Sequence, residues 1–185
     1  EIHLLVGYAE ADKARLGRAL TDVVAGIVPA APEAITVMIH ELPASDYYRG
    51  GEPRTPAAAL PDPVDTVRAY LDAMEARDLD RAQDFLGEGF TMTFPGAAPM
   101  KKLQELVDWS RPRYHYVRKT YTAFEVTQAG ASQVVYARGT LQGEWPDGTV
   151  FGGVRFIDRF ELTDGKITRQ EVWNNRMQGE HVRRE

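Results

Sequence analysis

Hydrophobic and polar positions divide the first fifty residues into a strand, a helix and a second strand. Residues 2–6 are apolar apart from His3, which predicts a buried strand. Apolar residues then recur three and four positions apart over 12–28, as in an amphipathic helix, and 35–42 form a second apolar strand. A turn or short hairpin follows at 47–51. The β-α-β order makes the two strands parallel, and so few elements must pack against a neighbouring unit or another subunit.

A proline-rich stretch separates this unit from the rest of the chain. Residues 50–63 read GGEPRTPAAALPDP, with four prolines and little periodicity. Proline removes a backbone donor and restricts the residue before it, which is typical of a linker. We therefore expect a β-α-β unit over 1–52, a linker over 53–63, a second unit over 64–177 and a polar tail over 178–185.

The pattern after the linker predicts helices followed by a run of strands. A helix is expected over 64–86, with a second segment after Asp78, and another helix over 100–109. The predicted strands are 90–94, 114–126, 133–145, 150–163 and 166–173. Glycine-containing turn sequences between the last four strands favour hairpins. The fold class is therefore α+β: a small β-α-β unit joined to a cone-shaped, curved antiparallel sheet with helices on its concave face, which encloses one deep pocket.

Composition narrows the class of protein. Hydrophobic residues make up 43% and charged residues 26%, which excludes a disordered chain, a collagen and a coiled-coil rod. The absence of cysteine excludes a disulfide framework, a thiolate metal site and a cysteine nucleophile. The histidines and acids do not show metal-ligand spacing, and the chain has no glycine-rich phosphate loop or dinucleotide fingerprint. We therefore predict neither a metal nor a cofactor.

Charge and hydropathy narrow the choice of partners. The net charge of −5 argues against a nucleic-acid surface, which needs clustered Lys and Arg. No run approaches the roughly 18 consecutive apolar residues of a membrane helix. The first residues do not have the pattern of a signal peptide, so the expected location is the cytoplasm. The expected partners are a small molecule and further copies of the chain.

Four segments of the first unit match one enzyme family: Ile2–Gly7, the helix after Asp12, Val37–Glu41 and Tyr47–Glu52. They resemble the 4-oxalocrotonate tautomerase family, in which an N-terminal proline is the catalytic base. The matching proline would lie upstream of Glu1, and Tyr8 and Thr36 stand where the family has its substrate-binding arginines. The pocket aromatic is kept as Tyr47. The resemblance therefore implies a scaffold that joins subunits, with an active tautomerase as the alternative.

A second resemblance spans nearly all of residues 64–176. It is carried by four segments: Val67–Met74, Asp78–Asp80, Phe90–Gly96 and Phe156–Phe160 with the following Asp164–Ile167. They resemble the superfamily of nuclear transport factor 2, ketosteroid isomerase and the SnoaL-like polyketide cyclases. The resemblance implies a cone-shaped fold, and this fold serves isomerases, cyclases, hydrolases, dehydratases and non-enzymes.

Asp158 is the main catalytic candidate. Strand alternation places Phe156, Asp158 and Phe160 on one face. A carboxyl group between two aromatic rings is desolvated, which raises its pKa toward the range useful for proton transfer. The alternative is a structural pair with an arginine such as Arg138 or Arg155. The resemblance to the cyclases implies that Asp158 is the general acid or base.

Three further residues are candidates for catalysis. Tyr70 matches the oxyanion donor of ketosteroid isomerase, although a tyrosine there is also common core packing. Glu171 lies near an acid of limonene epoxide hydrolase, or is a solvated strand residue. His115 could assist Asp158 because it titrates in the useful range, or could lie on the surface. The predicted lining of the binding pockets comprises Tyr47, Tyr116, Arg138, Trp145, Phe156 and Trp173.

These residues favour a cofactor-free cyclase or isomerase. Asp158 would move a proton to or from a carbon next to a carbonyl, in an apolar, polyketide-like or aromatic molecule, and Tyr70 would stabilise the enolate. The first unit would hold subunits together as a dimer or a multiple of it. The alternatives are an active tautomerase, possibly bifunctional, an epoxide hydrolase, and a ligand-binding or assembly module without catalysis.

Overall fold

The computed structural model describes residues 1–175. Within these residues the chain forms two compact units, Glu1–Leu60 and a second one that begins at Pro61. The predicted polar tail over 178–185 lies outside the described residues. Within those residues, no helix combines the length and apolar character that a membrane crossing requires.

The first unit contains one long helix and two pairs of short strands: β1 (Ile2–Leu5), α1 (Glu10–Ile27), β2 (Ile39–Leu42), β3 (Tyr48–Arg49) and β4 (Glu52–Pro53). Strands β1 and β2 are parallel, as the β-α-β pattern predicts, with Ile2 opposite Ile39. Strand β2 begins four residues later than expected, because a short 3₁₀ turn at Pro32–Ala34 precedes it and pairing with β1 starts only at Ile39. Strands β3 and β4 form the expected short hairpin.

Residues 1–60 do not form a closed core. None of their side chains is fully buried. Apolar residues of α1 remain in solvent, with Ile27 exposed to 78% and Val23 to 58%. The amphipathic stripe that predicts the helix therefore has no complete apolar partner within these residues.

The second unit contains three helices and five strands: α2 (Pro63–Glu75), α3 (Leu79–Gln83), β5 (Leu86–Thr93), α4 (Leu103–Ser110), β6 (Tyr116–Ala129), β7 (Ser132–Glu144), β8 (Val150–Thr163) and β9 (Lys166–Asn174). The single helix expected over 64–86 is thus two helices. Asp62 caps α2 by accepting from the Val64 backbone N–H at 2.8 Å, and Asp78 caps α3 in the same way. Between them Arg77 has a positive φ of 61°, which ends α2.

The five strands form one sheet in the order β5-β9-β8-β7-β6. Strands β6 to β9 are an antiparallel meander, as the hairpin signals predict, and the α+β fold class is confirmed. The outer strand β5 pairs in parallel with β9, because a helix rather than a tight turn connects it to the meander. A bulge lies in β6 between Tyr121 and Ala123. The facing Gly139 lies so close that a Cβ atom there would be 1.9 Å from the Thr120 carbonyl oxygen.

The core of the second unit lies between its helices and the inner face of the sheet. Helix α2 contributes Val67 and Tyr70, and β8 contributes Phe160, all essentially inaccessible to solvent. The Tyr70 and Phe160 rings meet edge to face with centroids 6.0 Å apart. Each such side chain stabilises the fold by about 1.5–3 kcal/mol through burial. This packing holds the wall of the site described next.

Candidate active site

A cavity of about 400 Å³ lies in the second unit, a size suited to a small organic molecule. Helix α2, helix α4, strand β6 and strand β9 all contribute to its wall. The apolar part of the wall includes Leu71, Met74, Phe94, Leu106 and Val117. The polar part includes Tyr70, Glu75, Arg77, Ser110, Tyr114, His115, Tyr116, Arg118, Lys119, Tyr121 and Gln170. The cavity therefore combines an apolar surface with groups able to donate and accept protons.

Asp158 and Lys119 form a buried ion pair beside this cavity. Asp158 has no solvent exposure, and its Oδ2 accepts a hydrogen bond from the Lys119 Nζ. Its other oxygen, Oδ1, is buried and has no hydrogen-bond partner among residues 1–175. Lys119 lines the cavity, and its Nζ also lies 4.6 Å from the centroid of the Phe156 ring. The carboxylate is therefore held by a single cation, which itself faces the cavity.

The surroundings of Asp158 determine its proton affinity. Burial raises the pKa of its carboxyl group above the ordinary value, and the charge and hydrogen bond of Lys119 act in the opposite direction without cancelling the rise. An acid whose pKa is raised in a site of this kind can exchange protons closer to neutral pH. This environment agrees with the desolvation expected from the flanking aromatic residues.

Two tyrosines form the wall near this pair. The Tyr70 hydroxyl donates to Gln170 Oε1 at 2.9 Å. Burial, and to a smaller extent the charge of Asp158, raise the pKa values of both Tyr70 and Tyr121, so both hydroxyl groups stay protonated. The proton of Tyr70 is already donated to Gln170, so Tyr70 combines core packing with a polar contact at the cavity wall.

Sequence reasoning missed Lys119 and Gln170. A usable signal existed for Lys119, because Val117, Lys119 and Tyr121 alternate toward the inner face of β6. A charged residue at such a position needs a buried partner. That Asp158 is this partner could not be predicted, because the two residues lie on strands separated by β7. The alternative, a structural pair of Asp158 with an arginine such as Arg138 or Arg155, is not what the structure shows, because the paired cation is Lys119 and Arg138 contacts Glu125.

His115 and Tyr116 line the cavity, as a role in the site requires. His115 Nδ1 lies 2.9 Å from Glu144 Oε1, and the histidine is exposed. Its polar contact is thus made at the rim and not with Asp158. Phe156 is buried beneath the wall, where its ring meets Tyr121 edge to face at 5.6 Å between centroids.

Four other candidates do not line this cavity. Glu171 accepts from Arg159 Nη1 at 3.0 Å, on the face of the sheet opposite Asp158. Arg138 donates to Glu125 at 3.1 Å on the surface. Trp173 is 51% exposed beside Ile157, and Trp145 packs on Phe151 with ring centroids 4.4 Å apart. Strand alternation explains why Glu171 and Trp173 point away from the cavity. Val172, which lies between them and pairs with Asp158, is the residue that points inward.

Tyr47 lies in a separate cavity of about 350 Å³ within the first unit. Arg49 Nη2 donates to the Tyr47 hydroxyl at 2.9 Å. Tyr8 and Arg54 also line this cavity. In neither unit do the described residues contain a cluster of three or more histidines and acids able to hold a metal ion.

The sheet order, the helices on its inner face and the cavity described above define the second unit as an NTF2-like domain, with an acid–amine pair beside the cavity. Residues 67–170 match the family model described as a SnoaL-like domain, and the chain belongs to this family. Residues 1–55 match the model described as a tautomerase enzyme. Together the two matches favour an enzyme of the isomerase or cyclase type.

Solved structures show the same fold at low sequence identity. An NTF2-like protein of unknown function from Burkholderia pseudomallei K96243 is 16% identical, with a TM-score of 0.52 over 62% of this chain and 91% of that chain. An NTF2-like protein from Burkholderia thailandensis E264 is 18% identical, with a TM-score of 0.50 over 63% and 92%. TerC, co-crystallised with polyporic acid, is 16% identical, with a TM-score of 0.50 over 60% and 89%. No curated protein matches the chain.

Proposed function

We propose that the second unit is a cofactor-independent acid–base enzyme, an isomerase or cyclase. Its substrate is an apolar, aromatic or polyketide-like molecule with a carbonyl group. The observation that carries the proposal is the buried Asp158 carboxylate, of which one oxygen has no hydrogen-bond partner within residues 1–175 and the other is held by Lys119 at the cavity wall. Families of this fold serve many activities, so the proposal rests on the site rather than on the fold.

Lys119 and Asp158 have different roles in the proposed proton transfer. Lys119 is the member of the pair that lines the cavity, and its ammonium group donates a hydrogen bond to the carbonyl oxygen of the substrate. As Lys119 turns to the substrate, the Asp158 carboxylate, which has no solvent exposure while it is paired, becomes accessible from the cavity and accepts a proton from the carbon next to the carbonyl. Return of that proton to another carbon gives isomerisation. Attack of the enolate carbon on a second carbonyl carbon of the same molecule gives cyclisation, and the new alkoxide oxygen takes the proton back from Asp158.

Tyr70 and Gln170 support this arrangement. The structure commits the Tyr70 proton to Gln170, so Lys119 takes over the oxyanion role that the resemblance implied for Tyr70. Tyr70 is then a positioning residue that orients the amide of Gln170 at the cavity wall. The conservative variant Tyr70→Phe separates this role from packing, because it keeps the ring.

Deuterium incorporation tests the proposal even while the natural product of the reaction is unidentified. A panel of aryl ketones and 1,3-diketones is incubated in D₂O, and exchange at the carbon next to the carbonyl is followed by NMR. We expect Asp158→Asn and Lys119→Met to slow the exchange at least about 100-fold, the usual size of a general acid–base contribution. Arg138→Gln, in an exposed pair on the surface, is the matched control. Exchange by Asp158→Asn at the wild-type rate contradicts the assignment.

For the first unit we propose a mainly structural role in assembling copies of the chain. The support is that no side chain of residues 1–60 is buried, while α1 leaves apolar residues in solvent. A contact with the same unit of another copy would cover them.

The cavity at Tyr47 favours a second candidate, an active tautomerase site. Its base would be an N-terminal proline upstream of Glu1. N-terminal sequencing of the protein from its natural host tests this candidate, since a different mature N-terminal residue contradicts it.

A further inference from the structure

Arg77 occupies a backbone conformation that arginine rarely adopts. It follows α2 with a φ of 61°, the left-handed position that usually belongs to glycine at a helix end. Its N–H donates to the Met74 carbonyl at 3.2 Å, and the Asp78 N–H donates to the Ala73 carbonyl at 2.9 Å, which closes the helix. Strain of this kind at a cavity is a reason to look for a function of the side chain.

The Arg77 side chain lies where two cavities adjoin. It lines the 400 Å³ cavity of the proposed active site and a neighbouring cavity of about 560 Å³. Both cavities share Ser110, Tyr114 and His115 as well. The charge of Arg77 acts on the Tyr114 hydroxyl, where it partly opposes the rise of the pKa caused by burial. Arg77 is exposed and borders both cavities together with Tyr114, which places it at their solvent-facing entrance.

The guanidinium of Arg77 has no ion-pair partner among the described residues, 1–175. The adjacent Asp78 uses its carboxylate to cap α3. The other charges of the active-site cavity are Glu75, Arg118 over the Tyr116 ring, and the Lys119 ammonium, which Asp158 neutralises. A chain with a net charge of −5 thus places at the entrance of its cavity an arginine that has no ion-pair partner within residues 1–175.

We infer that the substrate carries a carboxylate, which Arg77 binds at this entrance while the apolar body extends toward Lys119. The inference rests on the proposed function and names its substrate class as an apolar keto acid. A guanidinium presents two parallel N–H groups that match the two oxygens of one carboxylate. Arg77 and Arg118 opposed by Glu75 leave one net positive charge beside the neutralised Lys119, which suits a single negative charge better than a phosphate dianion.

The test compares a keto acid with its ester. The probes are 6-acetyl-2-naphthoate and its methyl ester, which share an aryl methyl ketone and differ in one charge. Calorimetric titration measures the two dissociation constants. We expect wild-type protein to bind the acid at least about tenfold more tightly than the ester, the effect of one charge-assisted contact. Equal dissociation constants for acid and ester overturn the inference.

Two variants and one control test whether Arg77 causes the preference for the acid over the ester. Arg77→Gly places at this position the residue that its backbone prefers, so the melting temperature should hold or rise while the preference for the acid falls to near one. Glu75→Gln removes the opposing charge and should increase the preference. Arg138→Gln should leave it as in wild type. Retention of the tenfold preference by Arg77→Gly overturns the assignment to Arg77.

The same probes separate this inference from the proposed function. Deuterium exchange into the acetyl group reports proton transfer, and the dissociation constants report recognition of the carboxylate. Exchange that depends on Asp158 but is equally efficient for acid and ester upholds the proposed function and overturns the inference. Tight, Arg77-dependent binding of the acid without any exchange supports recognition of the carboxylate and contradicts the proposed reaction.

Discussion

Lys119 on β6 hydrogen-bonds Asp158 on β8 across the intervening strand β7. An ion pair with a buried member gains less from mutual attraction than its short distance suggests, because the buried charge loses its hydration. Here one carboxylate oxygen also lacks a partner among residues 1–175. Well-packed apolar side chains often serve stability as well as such a pair does, so stability alone does not account for the arrangement, in line with the proposed chemistry.

Removal of the lysine should make stability strongly pH-dependent. Burial raises the folded-state pKa of Asp158 and Lys119 lowers it, so Lys119→Met raises that pKa further. A carboxyl group with a raised folded-state pKa favours folding at low pH, and this stability is lost as pH rises through the folded-state value. We expect Lys119→Met to lose about 3 kcal/mol or more at neutral pH and to recover toward pH 4.

Thermal unfolding of Lys119→Met between pH 4 and pH 8 checks this expectation. The control is the double variant Lys119→Met with Asp158→Asn, which lacks the carboxyl group and should show no such recovery. A pH profile of Lys119→Met that parallels the wild type would contradict the pairing.

Loss of the Tyr70 hydroxyl should destabilise the second unit. Tyr70→Phe keeps the ring but leaves Gln170 Oε1 without its donor in a buried position. An unsatisfied buried polar atom costs about 1–3 kcal/mol. Urea denaturation measures the loss, and adding Gln170→Leu should restore part of it. No change on Tyr70→Phe would show that the contact is dispensable.

Glu171 should be dispensable for the chemistry. Its carboxylate pairs with Arg159 on the face of the sheet opposite Asp158. We expect Glu171→Gln to exchange deuterium at the wild-type rate and to lose about 1 kcal/mol, because the pair keeps part of its contact with solvent and Arg159 retains its bond to Glu161. Exchange kinetics and a melting curve measure the two effects. A large loss of exchange would revive the epoxide hydrolase alternative, which needs an acid on this strand.

The first unit should control assembly. Light scattering of the wild-type chain should give the mass of a dimer or a multiple of it, because α1 leaves Val23 and Ile27 in solvent. The double variant Val23→Glu with Ile27→Glu should lower that mass toward the monomer. The matched control is Val150→Glu, an exposed apolar position of the second unit. A monomeric mass for the wild-type chain would contradict the prediction.

Local sequence patterns predicted which face of a strand a side chain lies on better than they predicted which residues it contacts. Alternation placed Phe156, Asp158 and Phe160 on one side of β8, and all three are buried. The expectation that Trp173 lines a pocket did not rest on alternation, and the direction of this side chain depends on the register of β9 against β8, which no local pattern specifies. Lys119 was missed for a related reason, since its partner is 39 positions away. Arg77 was missed because its significance lies in a backbone angle.

The bulge in β6 limits how this domain can change over evolutionary time. It brings Tyr121 and Phe124 to the same side, with ring centroids 5.1 Å apart, downstream of Lys119. Insertion or deletion of one residue in β6 between Lys119 and Tyr121, which lies opposite the closely packed Gly139, would turn the lysine toward the outer face. New substrate preferences should therefore arise in this lineage by exchange of side chains around the cavity, while the length of the strand stays constant.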